Sequence, residues 1–258
     1  MSRLVRFPAA VLVLLTLGFV AGLAWLIPVR RARSRVIRRL CQCWATALLR
    51  VLSVRVRLDP PDADLPDPAL YAANHSSYLD ILVVMSISPG VFVSKLGVAW
   101  WPLIGQLAAA SETLFVNRRD RFRVGRLVDK VRDRLRSGRS VVFFPEATSG
   151  SGDSLLPFKP SLFAAARCDD GPRFPVQPLV IRYESVAGEP LNTENRDRVL
   201  WYGGRLFLPH VWNLLRGPGV EVTVRALPAR PPGESRREFA RELREEMLKE
   251  IKIPETVP

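Results

Sequence analysis

Apolar and polar residues follow one another in a pattern that predicts alternating strands and helices from residue 54 onward. Residues 54–58 alternate with a period of two, which is typical of a strand. Short apolar runs bounded by turn residues predict further strands at 69–73, 91–94, 113–116, 140–145, 176–183 and 220–227. Helices are predicted at 78–88, 98–110, 119–137 and 235–250, and the polar, irregular residues 186–205 are predicted to be a surface excursion. This alternation predicts an α/β fold with a mixed, mostly parallel sheet covered by helices.

The first part of the chain is different, because residues 7–27 carry no charge over 21 positions. A membrane-spanning helix needs about 20 apolar residues, so an N-terminal membrane helix is expected. There are two alternatives. One is a cleaved signal peptide whose basic N-terminal region contains Arg3 and Arg6. The other is a helix that enters only one leaflet. Six arginines between positions 30 and 39 follow this run. They predict the cytoplasmic (inner) membrane, with the remaining chain on the cytoplasmic side.

A second, basic amphipathic helix is expected at 34–53. Its apolar positions recur at spacings of three and four, at Val36, Leu40, Cys43, Trp44, Ala47 and Leu48. Such a helix either lies in the membrane interface or packs on its own domain. The predicted organisation is therefore an N-terminal anchor and interfacial helix at 1–53, followed by one α/β domain at 54–258.

Composition adds a strong positive charge to this picture. The 258 residues have a net charge of +13, which suggests an anionic membrane or nucleic acid as partner. The arginines concentrate beside the apolar segment and in the 119–137 helix, which favours the membrane over nucleic acid. Three cysteines without a CxxC pair indicate neither a disulfide framework nor a zinc site, and no metal is expected.

Candidate chemistry lies where predicted strands end. His75 follows the 69–73 strand, and Asp80 lies five residues later at the start of a helix. A histidine can take a proton from a hydroxyl, and a carboxylate on its other ring nitrogen fixes its tautomer. Ser76 and Ser77 lack a GxSxG elbow, so the pair would activate an external hydroxyl. The alternative is that Asn-His-Ser-Ser is simply good turn sequence.

Two further clusters follow the 113–116 and 140–145 strands. The first contains Arg118 and neighbouring arginines at a helix start, a position that suits phosphate. The second places Glu146 and Thr148 at a strand tip, with Lys159 further on between apolar residues. Each cluster alone also fits a solvated face or a snorkelling lysine.

Four ordered blocks together resemble the glycerolipid acyltransferase family typified by bacterial 1-acylglycerol-3-phosphate acyltransferase. They span about 74–182 and contain an NHx4D motif, a Lys-to-Gly block, an F-[IV]-x-R motif and an FPEGT-type motif. The matching residues are Asn74, His75, Asp80, Lys95, Trp101, Pro102, Gly105, Phe115, Val116, Arg118, Phe144, Pro145, Glu146 and Thr148.

The resemblance implies transfer of a fatty acyl group from acyl-CoA or acyl carrier protein to a lysolipid hydroxyl, with no bound cofactor. His75 would be the general base and Asp80 its partner. The residues expected to bind substrate are Asn74, Lys95, Arg118, Glu146, Thr148 and Lys159. Alternatives from other classes are a hydrolase that uses water as acceptor and a basic membrane or nucleic-acid binder without enzymatic activity.

The sequence departs from the family pattern at three positions. Ala147 stands where FPEGTRS has glycine, Ser149 replaces its arginine, and Glu112 stands where the family often has glycine. Loss of the arginine removes an expected phosphate contact, and the form of this block is similar to a branch that includes lyso-ornithine-lipid acyltransferases. Lysophosphatidic acid is the first acceptor expected, and lyso-ornithine lipid or another lysolipid is the alternative.

Overall fold

A computed structural model describes residues 3–24, 28–88, 90–101, 104–117, 121–167 and 173–251. Structural statements below concern these residues. Two residues named above, Arg118 and Pro102, lie outside them.

The centre of the fold is one sheet of eight strands. They are β1 (Val54–Asp59), β2 (Leu70–Ala73), β3 (Val91–Lys95), β4 (Leu114–Val116), β5 (Val141–Phe143), β6 (Val176–Val186), β7 (Glu189–Pro190) and β8 (Val220–Ala226). The strand order is β1-β8-β6-β2-β5-β3-β4, and β7 pairs with β6. All pairs are parallel except β6 with β8 and β6 with β7. The prediction of a mixed, mostly parallel sheet is therefore confirmed.

Helices cover both faces of this sheet. They are α1 (Arg3–Ala24), α2 (Arg30–Val51), α3 (Leu79–Ile87), α4 (Ile104–Ala110), α5 (Arg121–Arg136), α6 (Phe207–Arg216) and α7 (Arg236–Glu250), and short 3-10 helices occupy Leu96–Trp100, Pro160–Ala166 and Arg196–Arg198. Side chains alternate along a strand, so Tyr71 and Ala73 of β2 enter the core beneath α2 and α3. Leu70 and Ala72 enter the opposite core, beneath α5 and α7.

The N-terminal helix packs on the rest of the protein. Ala10 belongs to the same core as Tyr71, and the buried guanidinium of Arg6 donates hydrogen bonds to the carbonyls of Leu215 and Gly217. Within the described ranges, no helix is both long and apolar enough to cross a membrane. The expectation of a spanning N-terminal helix is therefore not supported.

The basic helix α2 also packs on its own domain. Its buried face consists of Ile37, Cys41, Ala45, Leu48 and Leu49, and these side chains join the core of the sheet. Val36 and Cys43, which the sequence placed on the apolar stripe, are exposed instead. The buried stripe is thus rotated by about one residue from the predicted one, and α2 packs against α3 and α1. The division into 1–53 and 54–258 stays a prediction.

The segment 186–205, predicted to be a surface excursion, is partly buried. Val199 and Leu200 are almost completely buried. The backbone N–H of Trp201 donates to the carbonyl of Ser76, and the Ser77 hydroxyl donates to the carbonyl of Val199. This segment therefore supports the loop that follows β2. Its polar sequence gives no sign of this role.

Candidate active site

The loop between β2 and α3 brings His75 and Asp80 together. His75 follows the carboxyl end of β2, and Asp80 lies in the first turn of α3. The Nδ1 atom of His75 is 2.9 Å from Oδ2 of Asp80. In the neutral histidine this contact places the proton on Nδ1 and leaves Nε2 as a proton acceptor. The imidazole keeps 18% of its surface exposed, whereas the carboxylate keeps 1%, so only the histidine faces outward.

Asp80 is held by a full set of donors. The backbone N–H groups of Ser76 and Ser77 donate to Oδ2 at 2.6 and 2.9 Å. The phenol of Tyr183 donates to Oδ1 at 2.6 Å. These bonds replace the hydration that a buried carboxylate loses, and they leave it one orientation. The carboxylate therefore holds the imidazole in place.

A second acidic residue fixes the backbone of the same loop. Glu146 is 4% exposed; its Oε1 accepts from the His75 N–H at 2.7 Å, and its Oε2 accepts from the Leu156 N–H at 2.8 Å. The Gly150 N–H in turn donates to the carbonyl of His75 at 2.8 Å. Burial raises the pKa of the Glu146 carboxyl, although both backbone donors oppose this. Glu146 was predicted to bind the acceptor headgroup; in the structure both of its oxygens bind backbone, and headgroup contact stays a prediction.

Two more residues set the position of the imidazole. The Phe144 ring stacks on His75 with 4.3 Å between centroids and 19° between planes. Asn74 is buried; its amide donates to the carbonyl of Ile181 at 3.0 Å and accepts from the Ile181 N–H at 2.7 Å. This paired contact ties the end of β2 to β6. Asn74 thus acts on the histidine through the backbone.

The other predicted binding residues lie at the same edge of the sheet. Strands β2, β3, β4 and β5 run parallel, so their carboxyl ends meet there, as expected of sites in such sheets. Lys95 ends β3 and is exposed, and Thr148 and Lys159 are exposed after β5. The structure does not bring these three side chains into the hydrogen-bond network of His75 and Asp80. Arg118 lies outside the described residues.

Two left-handed residues occur where the sequence lacks the family's glycines. Ala147 has φ of 64° and Glu112 has φ of 62°. Left-handed backbone is strained for residues with a Cβ atom. Glu112 forms a largely buried ion pair with Arg139, which compensates for part of that strain. Both positions therefore adopt the conformation that glycine favours, although neither residue is glycine.

Sequence reasoning missed two groups around the loop between β2 and α3. One is Tyr183, whose partner Asp80 is 103 residues away, so no local spacing links them. The other is an aromatic cluster around Tyr78, formed by Trp101, Trp201, Phe207 and His210. The phenol of Tyr78 lies 3.0 Å from Nδ1 of His210. Burial raises the pKa of Tyr78 and lowers that of His210, so both side chains are neutral near pH 7.

The fold and the site together define a class of α/β protein in which a histidine, backed by a buried aspartate, can activate a hydroxyl group of a substrate. The family model described as Acyltransferase matches residues 60–182. The lyso-ornithine lipid O-acyltransferase of Pseudomonas aeruginosa is 34% identical over 208 residues, which cover 80% of this chain and 75% of that protein. The chain belongs to the acyltransferase family.

Other relatives show how far the similarity extends. The lyso-ornithine lipid O-acyltransferase of Rhizobium meliloti is 38% identical over 186 residues, which cover 70% of this chain but only 63% of that protein. The 1-acyl-sn-glycerol-3-phosphate acyltransferase of Neisseria meningitidis is 34% identical over 142 residues, covering 55% and 54% of the two chains. The crystal structure of the acyltransferase PlsC from Thermotoga maritima has the same fold, with a TM-score of 0.66, 17% identity and coverage of 97% and 96%.

Proposed function

We propose that this protein transfers a fatty acyl group from a thioester donor, acyl-CoA or acyl carrier protein, to the free hydroxyl of a lysolipid. The observation that carries the proposal is the 2.9 Å contact between His75 and the buried Asp80, in a chain of the acyltransferase family. The contact leaves Nε2 of the partly buried imidazole as the one ring atom able to receive a proton.

The reaction follows from this geometry. Nε2 of His75 takes the proton of the lysolipid hydroxyl as its oxygen attacks the thioester carbonyl. The carbon–sulfur bond breaks, an ester forms, and the imidazolium returns the proton to the departing thiolate. Asp80 stabilises the imidazolium in between. The thioester is already reactive, so no covalent enzyme intermediate is required.

For the acceptor, we rank lyso-ornithine lipid ahead of lysophosphatidic acid. Two observations support this order. The relatives in Pseudomonas aeruginosa and Rhizobium meliloti carry that name and match longer stretches than the Neisseria meningitidis relative does. In addition, Ser149 stands where the family's FPEGT block continues with an arginine, and a phosphate would gain most from that arginine.

Lys95, Arg118, Thr148 and Lys159 remain our candidates for contact with the headgroup or the donor. In the chain they lie at or after the carboxyl ends of parallel strands, at the sheet edge that carries His75. We place the reaction on the cytoplasmic membrane, facing the cytoplasm. The arginines between positions 30 and 39 support this side, because the cytoplasmic leaflet carries anionic lipids that attract basic residues.

The test offers the purified full-length protein a panel of lysolipids with acyl-CoA and acyl carrier protein donors. We expect ester formation with at least one lysolipid. Replacing His75 with Ala, or Asp80 with Asn, should lower kcat by roughly 10²–10⁴-fold, the usual contribution of a general base. Asp129→Asn, an exposed carboxylate on α5, is the matched control and should retain full activity.

Two results would contradict the proposal. Full ester formation by the His75→Ala variant would remove the general base. Thioester cleavage that proceeds equally fast without any lysolipid would identify a hydrolase instead.

A further inference from the structure

An ion pair joins two segments that both contact the loop between β2 and α3. Nη1 of Arg196, in the segment 186–205, donates to Oδ1 of Asp153, in the loop after β5. The Asp153 side chain keeps 44% of its surface exposed, and the Arg196 side chain keeps 19%. The carboxylate of this pair is therefore open to solvent.

The loop that carries Asp153 lies against the residues at the site. The Gly150 N–H donates to the carbonyl of His75 at 2.8 Å. A Cβ atom added at Gly152 would lie 3.9 Å from the hydroxyl oxygen of Ser76. Asp153 is the next residue in the chain, so its carboxylate starts from backbone that touches the neighbour of His75.

The segment that carries Arg196 approaches the same loop. The Leu200 N–H donates to the carbonyl of Arg196 at 2.8 Å, and the Trp201 N–H donates to the carbonyl of Ser76 at 2.9 Å. A Cβ atom added at Gly152 would lie only 2.8 Å from Cδ1 of Leu200. The two segments therefore converge beside Ser76, and the ion pair lies at the rim of the candidate active site.

This ion pair has unused hydrogen-bonding capacity, unlike a neighbouring pair. Asp197 accepts from the phenol of Tyr202 at 2.9 Å through Oδ1 and pairs with Arg205 at 2.6 Å through Oδ2. Asp153 uses only Oδ1 among the residues that the structure describes. In the same part of the chain Arg196 uses only Nη1, and its buried Nε has no partner. A guanidinium has five N–H donors, so the pair can bind a ligand without being broken.

The two charges of the pair restrict which ligand fits. An ammonium group would be attracted by Asp153, and a carboxylate by Arg196. A phosphate would be attracted by Arg196 but repelled by Asp153, and such repulsion is a source of specificity. The same loop has Ser149 where the family pattern has an arginine, which further disfavours a purely anionic group. The rim therefore suits a headgroup that carries one charge of each sign.

We propose that Asp153 and Arg196 recognise a zwitterionic acceptor headgroup, in which Asp153 accepts from an ammonium group and Arg196 donates to a carboxylate. An ornithine that is acylated on its α-nitrogen carries these two groups, so the lyso-ornithine lipid ranked first above is such an acceptor. The inference rests on the proposed function for its substrate and adds the residues that select it.

The experiment measures acyl transfer by the purified full-length protein in mixed micelles of a neutral detergent. Three acceptors are compared: lyso-ornithine lipid, the same lipid with its side-chain amine acetylated, and lysophosphatidic acid. The test variant is Asp153→Asn, which removes the charge but keeps an oxygen that can accept from Arg196. The matched control is Glu245→Gln, which removes the carboxylate of an exposed ion pair with Arg241 on α7.

For lyso-ornithine lipid, we expect Asp153→Asn to raise KM about tenfold and leave kcat unchanged, since a bond between charged groups is lost away from the reacting hydroxyl. For the acetylated lipid and lysophosphatidic acid, KM should change less than about twofold. Acetylation alone should raise KM about tenfold for the unmodified protein and add little in the variant. The substitution and the acetylation remove the same contact, so their effects should not add.

Three results would overturn the proposal. One is an unchanged KM of the Asp153→Asn variant for lyso-ornithine lipid. Another is an equal rise in KM for all three acceptors, which would identify the pair as a tie between two segments only. The third is an equal KM of the unmodified protein for the free and the acetylated amine, a comparison that needs no variant to fold.

A binding measurement separates this proposal from the proposed function. Isothermal titration calorimetry with a soluble, short-chain Nα-acyl-ornithine needs no turnover. If no lysolipid is acylated, binding that is about tenfold weaker in Asp153→Asn than in Glu245→Gln would support the recognition pair and count against the proposed function alone. Acylation of lysophosphatidic acid, without binding or acylation of the ornithine compounds, would overturn the recognition pair and leave acyl transfer standing.

Discussion

The phenol of Tyr183 donates a hydrogen bond to Oδ1 of Asp80 across 2.6 Å, on the side of the carboxylate opposite His75. Burial, together with the charge of Asp80, raises the pKa of Tyr183 well above its usual range. The phenol therefore stays protonated, and remains a donor, near neutral pH. Asp80 is thus fixed from two sides by groups that belong to different parts of the fold.

Replacing Tyr183 with Phe should lower kcat by about tenfold and leave KM unchanged. A hydrogen bond to a charged group contributes roughly 1.5–3 kcal/mol, and part of this stabilises the dyad in the transition state. Steady-state kinetics measure both constants. A rise in KM with unchanged kcat would indicate that Tyr183 acts on substrate binding instead, and unchanged values of both constants would contradict the assigned role.

Replacing Glu146 with Gln should destabilise the protein by about 1–3 kcal/mol near pH 5, since a single amide oxygen cannot accept from both His75 and Leu156. The difference in unfolding free energy between the unmodified protein and the variant should narrow as pH rises. Burial raises the folded-state pKa of Glu146, so ionisation costs the unmodified protein stability between the unfolded value, about 4.3, and the higher folded value. Urea unfolding from pH 4 to 8 measures this free-energy difference. For the control variant Glu245→Gln, at an exposed position on α7, the difference should not change with pH. A difference that widens with pH would contradict the buried, raised-pKa state of Glu146.

Replacing Ala147 with Gly should stabilise the protein by roughly 0.5–1 kcal/mol. Relief of a left-handed alanine gains roughly 1–2 kcal/mol, and the greater freedom of glycine in the unfolded chain takes back roughly 0.4–1 kcal/mol. The matched control is Ala109→Gly, an exposed position within α4, which should destabilise by about 1 kcal/mol. Thermal unfolding of the two variants should therefore shift in opposite directions.

Replacing Ser77 with Ala should loosen the segment 192–206, which supports the loop between β2 and α3. The hydroxyl donates to the carbonyl of Val199 at 2.8 Å, and its loss leaves a buried carbonyl without that donor, at a cost of about 1–3 kcal/mol. Limited proteolysis should then cut within 192–206 faster than in the unmodified protein. Ser154→Ala, at an exposed serine, serves as the control. Equal cleavage rates in the two variants would show that the segment is held by its apolar residues alone.

The sequence predicts the strands well because each has a strong local signal. The apolar run at 140–145 appears as β5 (Val141–Phe143), and 176–183 appears within β6 (Val176–Val186). The start of α7 has a local signal too, since Ser235 precedes the helix and its hydroxyl accepts from the Glu238 N–H. The pairing of His75 with Asp80 was predictable for the same reason, because five residues can close a single turn.

What the sequence does not predict depends on contacts between distant residues. Nothing near Val199 or Trp201 indicates that they contact Ser76 and Ser77, since the partners are more than 120 residues away. α6 was not predicted because its apolar residues lie both inside and outside the protein, which obscures a single buried stripe. The family resemblance predicted substrate contact for Glu146, and this stays a prediction. Its two backbone partners become visible only in three dimensions.

The left-handed residues Ala147 and Glu112 bear on how related chains can be recognised from their sequences. Both residues adopt this backbone although neither is glycine, and Glu112 also forms an ion pair with Arg139. A motif can thus lose its glycine while the chain keeps a left-handed residue at that position. A search that demands glycine at these two positions would pass over this chain.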